Sequence, residues 1–436
     1  MSTTWYWTEE YDGQLLKAER VKQGLNQDQL ADFAESPHPI RLPGSSATLG
    51  VRSIQKIEIN VSTVSFDLVQ LYAARLKKPL SHFQRKYRLP PRDVGDDELL
   101  KLCRVAVYGA HNVAQWVMAH PWEDRLRPTS SGKITGSPQD DKTDLIDQVT
   151  SDFIRNVFQQ AVARPRHPLT DGAILVDEEL GIVQLSDGPA RFVIVVDSAD
   201  DTVQFKRSLA GMILVSIYEI GVGVVAAAAL DVIRRKLYCR VRGAGSQAIQ
   251  ISDSLDRRIE PGEEIDPPGR MTVTLRPSGQ KQLSGSTLNV YTGKAYRIGL
   301  LAKTAPTLSS RNDINVVSYG GSRGPVLVAD STLDAAIELT KGFRYIDALS
   351  GLFIAAGAGA TLKVEQVRSF DATDATPIGV RLQASNPLDF GPIQELDDIF
   401  LGAAGEEERR QKLERLRLAF VVSGTEDLAT EILETL

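Results

Sequence analysis

The stretch DSADDTVQF, at residues 197–205, follows an unbroken β-type run, FVIVV, at residues 192–196. The apolar run predicts a buried strand, and the polar residues after it predict a turn at its end. This turn offers three carboxylates and one hydroxyl from a single rim: Asp197, Asp200, Asp201 and Thr202. Mg²⁺ prefers such oxygen ligands, because it binds through a few carboxylates, keeps several waters and leaves room for a substrate phosphate. The stretch therefore predicts either a magnesium site or an acidic surface turn, and its partners elsewhere in the chain decide between them.

The length and charge of the chain set wider limits. Its 436 residues predict two or three domains of roughly 150 residues each. The apolar content of 42% and the charged content of 24% are ordinary for a globular protein. The formal net charge of -6 argues against a molecule that coats nucleic acid over its whole surface, although it is compatible with a local basic surface.

The cysteines and the apolar runs favour a cytoplasmic protein with no membrane partner. Cys103 and Cys239 form no CxxC pair, so neither a disulfide framework nor a zinc site is expected, and a reducing compartment fits. The N-terminal residues, MSTTWYWTEEYDG, lack the pattern of a secretory signal. The longest apolar run, at residues 212–230, is interrupted by Glu219 and two glycines, which predicts two buried strands rather than a membrane helix.

The first ninety residues predict a series of short helices. An amphipathic helix is expected at residues 14–22, ended by Gly24, which accepts a left-handed conformation. A second helix is expected at residues 27–33, with Asn26 as its N-cap. After a polar stretch, two more helices are expected: VRSIQKIE at residues 51–58 and an apolar-periodic segment at residues 66–76.

This layout resembles the phage-repressor type of helix-turn-helix domain (Cro/C1, XRE-like), with GLNQDQLA as its second helix and RSIQKIE as its recognition helix. In that family the recognition helix enters the major groove of double-stranded DNA and its first residues meet base edges. The resemblance implies a set of DNA-binding residues, namely Arg52, Ser53, Gln55 and Lys56 at the bases and Gln27 near a phosphate. The chain departs from the family at residues 36–50, where fifteen residues replace a tight turn.

Charge supports the same assignment independently. Residues 36–92 contain ten Lys or Arg residues and two acidic residues, so an acidic protein concentrates positive charge here. Such a segment is a candidate surface for DNA phosphates, and the alternative is a small helical interaction module with a solvated basic edge. A homodimer is expected with the DNA-binding interpretation, because paired half-sites match two-fold symmetry.

The chain from residue 97 onward carries further helical patterns. A helix at residues 98–120 is expected to open the second domain, after a Pro-rich linker at residues 89–96. TDLID, at residues 143–147, runs into an amphipathic helix whose apolar stripe consists of Ile146, Val149, Phe153 and Val157.

Four motifs stand in the order found in the inositol monophosphatase and fructose bisphosphatase superfamily: TDLID (143–147), DEELG (177–181), DSADDTVQF (197–205) and YID (345–347). The segments between them resemble the family as well: LVSI (214–217), KLYCRVRGAGSQ (236–247), YGGSRGPVLVADSTLDAAIEL (319–339), ALSGLFIAAGAGATL (348–362) and RLQASNP (381–387), the last as the closing strand. The resemblance covers roughly residues 100–390, and four ordered motifs argue against a chance agreement.

The resemblance implies a layered α+β (αβαβα) sugar-phosphatase-like domain that binds two or three Mg²⁺ ions. Its metal ligands would be Glu179, Asp197, Asp200, Asp347 and the backbone carbonyl of Ala199. Thr202, paired with Asp147, would orient the attacking water and help to remove its proton. The substrate would lie near Gly321 and Ser322, and beside Asp201.

Each of these residues also has a purely structural interpretation, and the motifs show departures. Asp147 and Asp347 could cap the helices that follow them, and Glu179 could be a surface acid. Asp201 stands where the family has Gly, Ser198 where it has Pro, and Ile346 where it has Trp. An extra carboxylate at Asp201 could recruit a cation, alter substrate choice or strain the backbone.

The sequence therefore predicts a helix-turn-helix domain at residues 1–90, an inositol monophosphatase-like domain at 97–392 and a C-terminal helical extension at 393–436. The expected function is Mg²⁺-dependent hydrolysis of a phosphorylated small molecule, coupled to DNA binding. The alternative is a transcriptional regulator whose degenerate phosphatase-like domain senses such a molecule.

Inositol phosphate, fructose bisphosphate and 3'-phosphoadenosine nucleotides all remain open as substrates, because Lys206, Arg207, Lys341 and Arg344 could either contact a second phosphate or be solvated charges. A helix with Leu413, Leu416 and Phe420 on one side is expected to pack on its own domain or on a partner subunit.

Overall fold

The computed structural model describes residues 13–30, 49–58, 66–78, 96–119, 145–186, 190–200, 211–250, 272–291, 295–367, 382, 390–391, 393–401 and 406–436. The chain divides into two compact units. Among the described residues, the first unit holds those up to residue 78, and the second holds those from residue 96 onward except Ala119. Several predictions lie outside the described residues, namely the linker at 89–96 apart from its last residue, and the strand at 381–387 apart from Leu382.

The described part of the first unit is helical: α1 (Gly13–Lys22), α2 (Gln27–Leu30), α3 (Val51–Glu58) and α4 (Phe66–Arg75). Both predicted caps are confirmed. Gly24 has a left-handed φ of 69° after α1, and Asn26 Oδ1 accepts the backbone N–H of Gln29 at 2.7 Å at the start of α2. The helix-turn-helix assignment itself stays a prediction.

The buried carboxylate of Glu58 connects all four of these helices. Arg20 Nε and Nη2 donate to it at 2.6 and 3.1 Å, Gln27 Nε2 donates at 2.8 Å, and the hydroxyl of Tyr72 also donates. Burial raises the pKa of Glu58, but the bonds from Arg20, Tyr72 and Gln27 outweigh burial and hold the pKa below its usual value. Glu58 therefore remains charged and fully bonded inside the unit.

The second unit opens with two long helices, α5 (Asp96–Ala119) and α6 (Leu145–Val162). They confirm the helix predicted at residues 98–120 and the amphipathic helix predicted after TDLID. Ile146, Phe153 and Val157 are buried, while Val149 is half-buried. No helix within the described ranges is both long and apolar enough to cross a membrane.

The first sheet of this unit has eight strands: β1 (Ala173–Asp177), β2 (Gly181–Gln184), β3 (Phe192–Asp200), β4 (Met212–Glu219), β5 (Gly223–Asp231), β6 (Lys236–Val241), β7 (Gln247–Gln250) and β8 (Thr272–Thr274). Their order is β2-β1-β3-β4-β5-β6-β7-β8, and β1 and β3 are parallel neighbours. The two strands predicted within residues 212–230 are confirmed as β4 and β5, which turn at Gly221 and Gly223 with φ of 75° and 111°.

The second sheet is interleaved with helices. Its elements are β9 (Thr287–Val290), α7 (Ala295–Thr304), α8 (Pro306–Ser310), β10 (Asn315–Val317), α9 (Arg323–Ala329), β11 (Ala335–Arg344), α10 (Tyr345–Ala358), β12 (Thr361–Val367), α11 (Gln394–Leu401), α12 (Glu406–Arg415), β13 (Arg417–Ser423) and α13 (Glu426–Glu434). The strand order is β10-β9-β11-β13-β12.

The helices and sheets of the second unit form layers. Helix α10 contacts β3 to β6 of the first sheet and β11 to β13 of the second, so it lies between the two sheets together with α9. Helix α6 packs on β1 and β3, while α7 packs on β11 and α13 packs on β12 and β13. The described residues of this unit are therefore arranged as the αβαβα layers that the resemblance implies.

The C-terminal residues differ from the prediction. Residues 417–423 are not helical but form β13, which pairs antiparallel with β11 on one side and β12 on the other. Leu418, Phe420 and Val422 pack in one core cluster and Val421 packs in another, which is the two-residue alternation of a strand. The predicted helix through Phe420 is wrong because the β-type run RLAFVVS is buried on both faces. The segment therefore contributes an interior strand of the second sheet.

Candidate metal centre

The site lies where two neighbouring strands end. Strands β1 and β3 run parallel, with Asp177 opposite Val196, so the DEELG turn and the DSAD residues leave the sheet at the same edge. The pairing of β3 with β4 shifts between Asp197 and Asp200, since Asp197 lies opposite Leu214 and Asp200 opposite Met212. A β-bulge of this kind re-aims side chains at the end of a strand. The strand that the sequence predicts thus presents its carboxylates at one rim.

Three carboxylates from three different elements meet at this rim. Glu178 comes from the turn after β1, Asp197 from β3 and Asp347 from the first turn of α10. One oxygen from each lies within 4.8 Å of the others. Asp197 is buried, whereas Glu178 and Asp347 are half-buried. The rim can therefore surround a cation with oxygen ligands.

Burial and the neighbouring charges both act on the pKa of Asp197. Burial raises the pKa of Asp197 well above its ordinary value, and the negative charges of Asp200, Glu178 and Asp347 raise it further, while Arg344 opposes them. A divalent cation among the carboxylates would relieve both effects.

Arg344 contacts two members of this cluster. Its Nη2 lies 3.0 Å from Glu178 Oε2 and 2.7 Å from Asp347 Oδ1, and its Nε donates to Asp347 Oδ2 at 3.1 Å. Its side chain is 14% exposed. Arg344 was predicted either to contact a second phosphate or to be solvated. In the structure Arg344 is largely shielded from solvent and is paired with the carboxylates of Glu178 and Asp347.

The Gly-Ser pair lies against Asp200. The backbone N–H of Ser322 donates to Asp200 Oδ2 at 2.9 Å, and the hydroxyl of Ser322 donates to the backbone carbonyl of Asp347 at 2.6 Å. Gly321 has a φ of 44°, and a Cβ there would lie 1.8 to 2.0 Å from the carboxylate atoms of Asp200. The predicted pair is therefore at the site, and it connects the end of β3 with the start of α10.

A buried polar network supports the rim from behind. Asp177 Oδ1 accepts the N–H groups of Glu179 at 2.8 Å and Leu180 at 3.0 Å, and it also accepts the hydroxyl of Ser151 at 2.9 Å. Burial is the main cause that raises the pKa of Asp177, to about 7. Ser198 Oγ lies 2.8 Å from Ser151 Oγ and can donate to the carbonyl of Asp147 at 3.0 Å. Ser198, which replaces the family's Pro, is thus a bonded member of the network.

The structure brings together some of the predicted site residues, and the roles of the others stay predictions. Asp197 and Asp347 are within the carboxylate cluster, and Asp200 lies beside it as a charged neighbour of Asp197. Asp147 is buried in the first turn of α6, and Ala199 belongs to β3. Their roles stay predictions. Asp201 and Thr202 lie outside the described residues, as do Lys206 and Arg207.

One residue of the cluster was not predicted. The sequence interpretation chose Glu179, whereas the carboxylate that joins Asp197 and Asp347 belongs to Glu178. Glu179 is buried and its N–H bonds to Asp177. Spacing alone gives no signal that separates two adjacent glutamates in a turn, so the assignment of Glu179 remains a prediction to be tested against Glu178.

The residues predicted to face DNA lie mostly on the outer side of α3. Arg52, Gln55 and Lys56 are exposed and Ser53 is half-buried, while Ile54, Ile57 and Glu58 point inward. Gln27 is half-buried, and its Oε1 accepts Gln55 Nε2 at 3.3 Å. The polar face of α3 is therefore available to a ligand within the described part of the first unit.

The donor set fits the Mg²⁺ that the resemblance implies. The side-chain candidates are carboxylate oxygens and the backbone candidate at Ala199 is a carbonyl oxygen, and both are hard donors suited to Mg²⁺. Their mutual repulsion at Asp197 favours a bound cation, and the guanidinium of Arg344 already occupies one side of the cluster as a positive group. The site thus fits a divalent ion, with one protein cation beside it.

Solved structures similar to this chain were found. SuhB from Mycobacterium tuberculosis is 22% identical, with 63% of this chain and 89% of that chain covered and a TM-score of 0.43. An inositol monophosphatase from Zymomonas mobilis is 13% identical, with coverage of 79% and 99% and a TM-score of 0.46. The extragenic suppressor protein SuhB from Bartonella henselae is 13% identical, with coverage of 78% and 98% and a TM-score of 0.50. No protein-family profile and no curated protein sequence matches the chain.

At these identities the similarity concerns the fold alone. The structure from Bartonella henselae is covered almost completely, and the αβαβα layers account for the common architecture. The chain therefore shares the mixed α/β fold of the SuhB structure from Bartonella henselae.

Proposed function

We propose that the second unit is a Mg²⁺-dependent phosphate monoester hydrolase. The observation that carries this proposal is the cluster of Glu178, Asp197 and Asp347, whose ligand atoms lie within 4.8 Å of one another at the ends of three elements. Phosphate monoesters hydrolyse very slowly without a catalyst, so an enzyme for them needs concentrated positive charge and an activated water. Carboxylates that gather metal ions at one rim supply the means for both.

In this proposal, different residues would bind the metal ions, position a ligand and activate the water. Glu178, Asp197, Asp200 and Asp347 would hold two or three ions. Bound Mg²⁺ would supply positive charge to the phosphoryl oxygens and acidify a water molecule. Ser322 holds Asp200 through its backbone N–H, and the missing side chain of Gly321 lets the Asp200 carboxylate lie close to the backbone there. Asp147, with Thr202, would orient the water and take its proton.

The substrate class is a phosphorylated small molecule. Other similar structures carry names that include inositol monophosphate bound to SaIMPase-II, and an inositol monophosphatase that is also a fructose 1,6-bisphosphatase. Their TM-scores, 0.45 and 0.44, leave the choice of substrate to experiment. Sugar, inositol and nucleotide phosphates therefore all belong in a screen.

The direct test is phosphate release by the full chain from such a panel, with Mg²⁺ present and with Mg²⁺ removed by a chelator. We expect release that requires Mg²⁺ and that falls roughly a hundredfold or more in Asp200→Asn. Asp171→Asn is a matched control, because Asp171 is an exposed acid that pairs with Arg191. Absence of release across the whole panel would refute the enzyme and favour the degenerate sensor.

We propose DNA binding as a second function, carried by the first unit. The observation that favours it is the exposed polar face of α3, with Arg52, Gln55 and Lys56, held in place by buried Ile54 and Ile57. A homodimer on a two-fold DNA site would be the expected complex.

The test of this function is binding of the full chain to double-stranded DNA at several salt concentrations. Binding should weaken with salt and with Arg52→Ala, and not with Lys22→Ala, an exposed lysine on α1. If salt and Arg52→Ala both leave binding unchanged, the first unit is a protein interaction module instead. For the sensor alternative, DNA affinity must change when a phosphorylated ligand is added.

A further inference from the structure

Arg344 uses the same carboxylates as the candidate metal site. It forms a two-point contact with Asp347, from Nε to Oδ2 at 3.1 Å and from Nη2 to Oδ1 at 2.7 Å. The same Nη2 lies 3.0 Å from Glu178 Oε2. Two of the three carboxylates that meet within 4.8 Å are therefore paired with one guanidinium.

The position of Arg344 in the fold makes this contact a fixed one. Arg344 is the last residue of β11 and the residue that precedes α10, so its backbone is held between a strand and a helix. Asp347 follows three residues later in the first turn of α10. The side chain is 14% exposed, so water screens this pair less than it screens a surface pair.

A guanidinium and a divalent ion compete for such carboxylates. Both are positive, and a charge of one sign placed next to a bound ion of the same sign lowers the affinity for that ion. A two-point contact also fixes the plane of the carboxylate, which a metal ion would need to reorient or share. We therefore expect metal binding to weaken at least one contact of Arg344.

We propose that Arg344 competes with the metal ions: it pairs with Glu178 and Asp347 and sets how tightly divalent ions bind to these carboxylates. This inference rests on the proposed metal site and adds a residue that tunes it. Arg344 is a positioning residue, because it acts on the ligands and not on the reacting atoms.

The test is calorimetric titration of the metal-free full chain with Mn²⁺, comparing wild type with Arg344→Gln and Arg344→Lys. Arg344→Gln should bind Mn²⁺ about tenfold more tightly or bind one more ion, because a positive charge beside the ligands is gone. Arg344→Lys should bind Mn²⁺ with an affinity between those of wild type and Arg344→Gln, since it keeps the positive charge but loses the two-point geometry.

Arg191→Gln serves as the matched control. Arg191 is also paired with two acids, Asp171 and Glu219, but it lies just before the start of β3, whereas Asp197 and Asp200 lie toward its end. Its loss should leave Mn²⁺ affinity unchanged.

The melting temperature is a second measurement, and it distinguishes a change in metal affinity from a loss of stability in Arg344→Gln. Metal-free Arg344→Gln should melt below wild type, because two carboxylates lose their partner, and Mn²⁺ should raise its melting temperature more than it raises that of wild type. A variant that merely misfolds would not gain from the metal.

The outcomes separate the two proposals. Equal or weaker Mn²⁺ binding by Arg344→Gln, when wild type binds Mn²⁺, would overturn the role of Arg344 and leave the metal-dependent enzyme standing. Binding by Arg344→Gln but not by wild type would support the role of Arg344 and refute the metal-dependent enzyme. Absence of binding by both would overturn both proposals.

Discussion

Ser322 donates its backbone N–H to Asp200 Oδ2 at 2.9 Å, across 122 positions of the chain. The contact joins the end of β3 to the loop before α9, and it depends on the residue that comes just before Ser322. A Cβ on Gly321 would lie 1.8 to 2.0 Å from the carboxylate atoms of Asp200. The candidate site is therefore built around a glycine that no other residue can replace without moving Asp200.

Gly321→Ala should reduce both stability and phosphate release. Its φ of 44° strains any side chain, and the new Cβ collides with Asp200, so we expect a loss of about 1–3 kcal/mol in the free energy of unfolding. Gly285→Ala is the control, because Gly285 has a φ of 77° but no atom within 4 Å of its Cβ position. Denaturant unfolding and a phosphate assay measure the two effects. Equal effects of the two substitutions on phosphate release would contradict the account.

Substitution of each adjacent glutamate of DEELG shows which of the two is a metal ligand. Glu178→Gln should weaken Mn²⁺ binding about tenfold or more, because Glu178 shares the cluster with Asp197 and Asp347. Glu179→Gln should have a smaller effect on the Mn²⁺ dissociation constant. Calorimetric titration of both variants measures these dissociation constants. A larger loss of Mn²⁺ affinity in Glu179→Gln than in Glu178→Gln would support Glu179 as the ligand, as the sequence favours.

His111 should make the second unit less stable in acid. Burial, aided by Arg235, lowers its pKa from 6.5 to about 3, and its Nδ1 has no hydrogen-bond partner among the described residues. Between pH 3 and pH 6.5 the imidazole of His111 binds a proton in the unfolded chain but not in the folded chain. The stability that comes from this difference is therefore complete above pH 6.5 and is lost as the pH falls. From pH 7.5 to 5.5 the loss is about 1.4 kcal/mol.

Urea unfolding at pH 7.5 and 5.5 measures that loss. His111→Gln should lose about 1.4 kcal/mol less than wild type over the same interval, because the other titrating groups are common to both proteins. The same loss in both proteins would show that His111 takes up no proton on unfolding.

Glu58 should be essential to the first unit. Glu58→Gln leaves the guanidinium of Arg20, which is 9% exposed, without its charged partner, so we expect a loss of about 3–5 kcal/mol. Lys22→Gln breaks a surface pair of 3.9 Å in the same helix and should change stability by less than about 1 kcal/mol. Calorimetry of the full chain would detect the difference, and similar melting of both variants would be the contrary result.

The sequence was most informative where the determinants are local. FVIVV predicted β3, and the interrupted run at residues 212–230 predicted β4 and β5. Each of these follows from the periodicity of side chains that are adjacent in the chain, which reports directly on burial.

Features that depend on distant parts of the chain were harder to predict. Arg344 pairs with Glu178 across the ends of β11 and β1, and the sequence alone allowed a phosphate contact or a solvated charge for it. RLAFVVS follows a charged helix, and only its pairing with β11 and β12 shows that it is an interior strand. The choice between Glu178 and Glu179 depends on the turn that Asp177 organises through its hydrogen bonds.

We propose that carboxylates at the end of β3 hold metal ions for phosphate ester hydrolysis. The most direct test of this proposal is the rate of phosphate release by the full chain as Mg²⁺ is titrated, for wild type and for Asp197→Asn. We expect release by wild type that saturates with Mg²⁺, and a rate roughly a hundredfold or more lower in Asp197→Asn at every Mg²⁺ concentration. Release that is independent of Mg²⁺, or equal in the two proteins, would contradict it.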